Sequence, residues 1–147
     1  MRAEDLGLAE PARTAALALQ SRFPTVVFTS GRRGVDDQAR AMASNIVHNR
    51  QWIAQTYLDA QVLQDWVNAN PEATSQGDIA HGLAAIMASW SDAQKARVSK
   101  HFSGQAFDVQ PVAGTLGDRI KAFIPGLPGV KKFLTTEGGL IRWHVQT

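Results

Sequence analysis

Residues 36–98 carry apolar side chains at helical spacing almost throughout, and this segment most constrains the fold of the 147-residue chain. The apolar face of its first helix comprises Ala39, Met42, Ala43, Ile46 and Val47. We expect Asp36 or Asp37 to cap that helix. Ser91, followed three residues later by Gln94, forms a capping box before the last one. The sequence therefore predicts a block of helices over residues 36–98.

The segments on either side of this block have a different pattern, with short β-branched runs and glycine-rich connections. We expect strands over residues 25–29, 106–109, 130–135 and 140–146, and helices over residues 8–22 and 115–124. Such a mixture predicts an α+β fold, in which a small antiparallel sheet follows a helical block. We expect one domain over residues 1–147, with residues 36–98 as a helical insertion.

Charge and composition exclude several classes of protein. The 15 Lys and Arg residues are scattered and nearly balanced by 13 Asp and Glu residues, so we expect no nucleic-acid partner. The absence of cysteine excludes disulfides, thiolate nucleophiles and zinc fingers. No apolar run has the length of a membrane span, and the first residues lack the apolar core of a signal peptide. We expect a monomer made in the cytoplasm.

Two histidines and one aspartate form a candidate metal site. His101 precedes Asp108 by seven residues, and Gly104 allows the loop between them to turn back. If the strand carrying His144 pairs beside residues 106–109, all three side chains converge. Two nitrogen ligands and one oxygen ligand, with a fourth position left for water, form the ligand set of a catalytic zinc. A hydrogen-bonded His–Asp pair without metal is the competing interpretation, and spacing alone leaves both open.

Three segments together resemble one family of enzymes. Residues 99–108 match the pattern Ser-x-His-x-x-Gly-x-Ala-x-Asp of the zinc peptidases that cut peptidoglycan stem peptides. That family includes D-alanyl-D-alanine carboxypeptidases and dipeptidases, and the L-alanyl-D-glutamate peptidases of phage endolysins. Residues 29–33 (Thr-Ser-Gly-Arg-Arg) resemble its Thr-Ser-Gly-Tyr-Arg element, and residues 143–145 (Trp-His-Val) resemble its final zinc-histidine strand.

The resemblance assigns roles to five residues. It implies that His101, Asp108 and His144 bind Zn²⁺. It implies that Arg33 positions the substrate and helps to bind the oxyanion, since a planar guanidinium matches a carboxylate or carbonyl. It also implies that Ser99 hydrogen-bonds a zinc ligand or the substrate.

The chain departs from the family pattern at the general base. Family members usually carry a glutamate, aspartate or histidine two or three residues before the last zinc histidine, where this chain has Ile141 and Arg142. Neither side chain can take a proton from water. Glu137 is therefore our candidate base, against the competing interpretation of an exposed turn glutamate. We expect Arg142 to bind a substrate carboxylate.

These expectations combine into a zinc metallopeptidase that hydrolyses an amide bond in peptidoglycan stem peptides or cross-links. A phage endolysin, released to the cell wall by another protein and lysing the host, fits best. A bacterial dipeptidase or a delivered toxin would have the same features. The alternative is a non-catalytic wall-binding or virion structural domain that keeps the peptidase fold, and the missing base favours it. A sterol-modified signalling domain is disfavoured by the lack of cysteine.

Overall fold

The computed structural model describes residues 1–147 and combines helices with a four-stranded antiparallel sheet, which confirms the predicted α+β class. The helices are α1 (Ala12–Arg22), α2 (Val35–Ile46), α3 (Trp52–Thr56), α4 (Gln61–Ala69), α5 (Gln76–Met87), α6 (Asp92–Val98) and α7 (Gly114–Phe123). The strands are β1 (Phe28–Ser30), β2 (Ala106–Val109), β3 (Lys132–Glu137) and β4 (Leu140–Gln146), in the order β1-β2-β4-β3. No helix is both long and apolar enough to cross a bilayer.

The chain divides into two compact units. The sheet unit comprises Met1–Arg32, Ser103–Thr136 and Ile141–Thr147, and the helical unit comprises Arg33–Phe102 and Glu137–Leu140. Each unit has its own cluster of buried apolar side chains. The helical unit therefore contains the segment whose pattern predicted a block of helices.

One face of the sheet closes the core of the sheet unit. Phe107 pairs with Val145 across β2 and β4, and Val109 pairs with Trp143. All four side chains are buried in one cluster with residues of α1 and α7. Because side chains alternate along a strand, the intervening residues of β2 and β4 point to the opposite face. That second face carries the polar residues described below.

The helical unit consists of five helices, α2 to α6, and α2 packs mainly against α5. The capping box predicted at Ser91 is confirmed: Ser91 Oγ accepts from the Gln94 N–H, and Gln94 Oε1 accepts from the Ser91 N–H. The predicted aspartate cap of α2 is wrong. Gly34 is the N-cap residue. Asp36 and Asp37 lie in the first turn, where their negative charges interact favourably with the positive end of the helix dipole.

Strand β1 is shorter and lies later in the chain than predicted. Only residues 28–30 pair with β2, with Phe28 opposite Val109 and Ser30 opposite Asp108. The register shifts between these two pairs, so one strand carries an extra residue there, as in a β-bulge. The irregularity brings Ser30 level with Asp108. The alternation of residue types along the strand gives no sign of this shift.

A tight turn joins the last two strands, at one of the glycine-rich connections of the sequence. Gly138 and Gly139 have φ values of +56° and +80°, the combination that a two-residue hairpin turn requires. Trp52 Nε1 donates to the Glu137 carbonyl at 3.1 Å, and Asn49 Nδ2 donates to the Gly138 carbonyl at 2.8 Å. A Cβ on Gly138 would lie 2.2 Å from Trp52 Cδ1. Glycine is therefore required at the first turn position by both backbone conformation and space.

Gly104 is a second position at which only glycine fits. Its φ is +76°, and an added Cβ would lie 3.0 Å from the Ala9 backbone nitrogen and 2.8 Å from Arg32 Nη2. We expect Gly104→Ala to lower the free energy of unfolding by about 1–3 kcal/mol, because a non-glycine residue is strained in this conformation. Urea denaturation measures the change. Gly126→Ala is the control, since its Cβ would enter open space; equal losses in the two variants would contradict the argument.

Candidate metal centre

Three polar residues lie side by side across β1, β2 and β4. Asp108 is directly opposite Ser30 on one side and His144 on the other. Residues that face each other in an antiparallel pair present their side chains on the same face, a few ångströms apart. The expected pairing of the final strand beside residues 106–109 is therefore confirmed, and it forms a row of Ser30, Asp108 and His144.

Hydrogen bonds fix the side chains of this row. Asp108 Oδ2 accepts from Ser30 Oγ at 2.6 Å, and Asp108 Oδ1 lies 2.9 Å from His144 Nδ1. The other ring nitrogen, Nε2, lies 3.2 Å from Gln146 Oε1. The side chains of His144 and Asp108 are only 10% and 19% exposed. Both therefore have one defined orientation on the polar face of the sheet.

His101 is buried in the turn that follows α6, with 3% of its surface exposed. Two bonds fix its backbone: its N–H donates to Ser99 Oγ at 3.2 Å, and its carbonyl accepts from the Arg33 N–H at 3.0 Å. The predicted residues Ser99 and Arg33 thus both contact the His101 main chain. Ser99 was expected to hydrogen-bond either a zinc ligand or the substrate, and this contact favours the first role.

Gln38 connects Ser99 and Arg33 through its side chain, which is fully buried on α2. Its Oε1 lies 3.4 Å from Arg33 Nη1 and 3.5 Å from Ser99 Oγ. Its Nε2 lies 3.4 Å from the Tyr57 hydroxyl. These contacts are long but converge on one amide, which restricts the position of the Arg33 guanidinium.

The three predicted ligands are brought together. One ligand atom from each of His101, Asp108 and His144 lies within 4.8 Å of the other two. Atoms that bind one zinc ion tetrahedrally at about 2.0–2.2 Å are about 3.4 Å apart. Two imidazole nitrogens and one carboxylate oxygen suit zinc among the common divalent ions. The residues can therefore hold a metal ion.

Neither Glu137 nor Arg142 belongs to the cluster of three possible metal ligands. Glu137 ends β3 and is outside the group of three ligands. Arg142 precedes His144 by two residues on β4, so alternation places it on the same face of the sheet. Its Nη1 donates to the Ile141 carbonyl at 2.7 Å. The roles expected for Glu137 and Arg142 stay predictions.

Comparison of the chain with family models, curated proteins and solved structures finds no match. The metal-site interpretation therefore depends on the residues and their geometry.

Three polar residues at this centre were missed by the sequence analysis: Ser30, Gln38 and Gln146. Gln146 follows His144 by two residues, so strand alternation alone was a sufficient signal for its position. Ser30 lies in the segment that resembles the family's Thr-Ser-Gly-Tyr-Arg element, but its position beside Asp108 follows only from the register of β1. Gln38 gave no signal, since a polar residue in an amphipathic helix is normally exposed and its burial here depends on packing.

Zinc titration by isothermal calorimetry tests the centre. We expect the wild-type protein to bind one zinc ion. We expect Asp108→Asn to bind it about 100-fold more weakly or worse, because loss of a ligand lowers zinc affinity more than loss of a residue that only hydrogen-bonds a ligand. His81→Ala is the control, since His81 is exposed on α5 and outside the cluster. Equal affinity in the wild type and Asp108→Asn would contradict Asp108 as a ligand, and the absence of zinc binding in the wild type would favour a metal-free His–Asp hydrogen bond.

Proposed function

We propose that the protein is a zinc-dependent peptidase that hydrolyses an amide bond in peptidoglycan stem peptides or their cross-links. The observation that carries this proposal is the convergence of His101, Asp108 and His144 within 4.8 Å. The same residues occupy the ligand positions of the peptidase signature that the sequence resembles. We further propose that it acts at the cell wall as a phage endolysin, which lyses the host.

The ligand set suits hydrolysis because three protein ligands leave one tetrahedral position for another molecule. When bound, zinc supplies a Lewis acid that lowers the pKa of a coordinated water and polarises a carbonyl. The protein's own contribution is orientation. Ser30 holds Asp108 at 2.6 Å, and Ser99 holds the His101 backbone at 3.2 Å. Ligands fixed in this way need little rearrangement to bind the ion.

Arg33 and Arg142 are the proposed substrate-binding groups. The Arg33 guanidinium is half-buried and is oriented by the buried amide of Gln38. In this proposal it binds a substrate carbonyl and the negative charge that develops on its oxygen. Arg142, on the same face of β4 as His144, binds a carboxylate of the stem peptide.

Glu137 is the proposed general base. It takes a proton from the attacking water and delivers it to the leaving amine. Support comes from its position at the end of β3, where Trp52 binds its carbonyl and the Gly138–Gly139 turn follows. Its main chain is thereby fixed beside the first residues of β4.

The activity is tested by incubating purified peptidoglycan fragments with the protein and zinc, then identifying products by mass spectrometry. We expect a new amine terminus that is absent when a chelator is added, because hydrolysis requires the bound metal. The mass of the product identifies the bond that is cut. Denatured protein with zinc is the control for metal-catalysed hydrolysis.

Replacing the proposed base separates catalysis from metal binding. We expect Glu137→Gln to lower kcat by about 10²–10⁴-fold, the usual contribution of general acid–base catalysis. Zinc affinity should stay unchanged, since Glu137 is outside the ligand cluster. Glu72→Gln is the control, because Glu72 is exposed in the loop after α4. Full activity in Glu137→Gln would require a different base.

A non-catalytic wall-binding or virion structural domain is the second candidate. The observation that favours it is that Ile141, which is 65% exposed, and Arg142 occupy the positions where the resembled family has its base. Zinc binding with intact peptidoglycan fragments would support this candidate and contradict the peptidase.

A further inference from the structure

His144 is flanked by two oxygen atoms that both act as acceptors. Asp108 Oδ1 lies 2.9 Å from Nδ1, and Gln146 Oε1 lies 3.2 Å from Nε2. A neutral imidazole carries one N–H and can donate to only one of these oxygens, whereas a doubly protonated ring can donate to both. The ring is largely buried, which makes an unsatisfied contact unfavourable.

A cation at the Asp108 side would remove this conflict for the neutral ring. Nδ1 and Asp108 Oδ1 would then both be available to hold the ion, and the single ring proton would lie on Nε2. Nε2–H donates to Gln146 Oε1 in this arrangement. Asp108 Oδ2 is meanwhile occupied by the Ser30 hydroxyl at 2.6 Å, so Oδ1 is the oxygen directed to the histidine.

We propose that Gln146 is a positioning residue that directs Nδ1 of His144 to the metal by accepting a hydrogen bond from Nε2–H. Metal-bound histidines almost always donate their second ring N–H to a protein acceptor, which fixes the ring and strengthens the ligand. Gln146 reaches His144 because both lie on the same face of β4. This inference rests on the metal binding of the proposed function and is independent of the substrate.

Gln146 faces a small side chain across the strand pair. Its partner across the β2–β4 ladder is Ala106, which is fully buried. The methyl group of alanine occupies little of the space beside Gln146. A larger residue opposite Gln146 would compete for that space.

Zinc titration of four proteins tests the role of Gln146: the wild type, Gln146→Leu, Gln146→Glu and Gln110→Leu. We expect Gln146→Leu to weaken zinc binding by about 10–100-fold, the usual effect of losing such a partner. Gln146→Glu should bind at least as tightly as the wild type, because it keeps the acceptor. Gln110→Leu, at an exposed position just after β2, should bind like the wild type. Circular dichroism confirms that each variant is folded.

Nitrogen NMR of protein labelled with ¹⁵N-histidine provides a readout that a general structural effect would not produce. With zinc added, we expect the His144 proton on Nε2 and the metal-bound shift on Nδ1. A proton on Nδ1, or wild-type zinc affinity in Gln146→Leu, would contradict the role of Gln146 but not the zinc site itself. Failure of the wild type to bind zinc would overturn both. Zinc binding without peptide hydrolysis would overturn only the proposed activity.

Discussion

The pairing of β2 with β4 is the constraint on which the candidate centre depends. It sets Asp108 directly opposite His144 and, in the same ladder, sets Phe107 opposite Val145 in the core. A slip of one residue would exchange the two faces of a strand, so it would expose the apolar side chains and bury the polar ones. The hydrophobic effect in the core therefore also fixes the register of the two candidate ligands.

The loop before β2 is tied to the N-terminal segment of the sheet unit. Gly104 adopts φ of +76°, and its carbonyl accepts from the Ala9 N–H at 3.0 Å. Arg32 donates to the Gly7 and Ser103 carbonyls at 2.9 and 3.2 Å, which ties the same loop to the N-terminal segment. The Ser-Gly-Arg-Arg segment thus has two roles: Arg32 stabilises the loop, whereas Arg33 contacts Gln38.

Partly buried polar contacts distinguish this centre from an ordinary sheet surface. Ser30 binds Asp108, and Gln146 faces His144 within the sheet unit; Gln38 meets Arg33 within the helical unit. Buried polar groups are stable only when they have partners, so each contact restricts the orientation of both side chains. Such restriction is what a metal-binding or catalytic group requires, and it links the fold to the proposed peptidase activity.

The sequence by itself determined the α+β class, the helical block, the Ser91 capping box and the choice of His101, Asp108 and His144 as candidate ligands. The first three follow from periodicity and capping preferences, which are local properties, whereas the candidate ligands follow from ligand chemistry and the family resemblance. Tertiary structure alone decided the irregular β1 register that places Ser30 beside Asp108, and the burial of Gln38. Both depend on contacts between segments distant in the chain, and no local pattern encodes which distant residues will pair or pack.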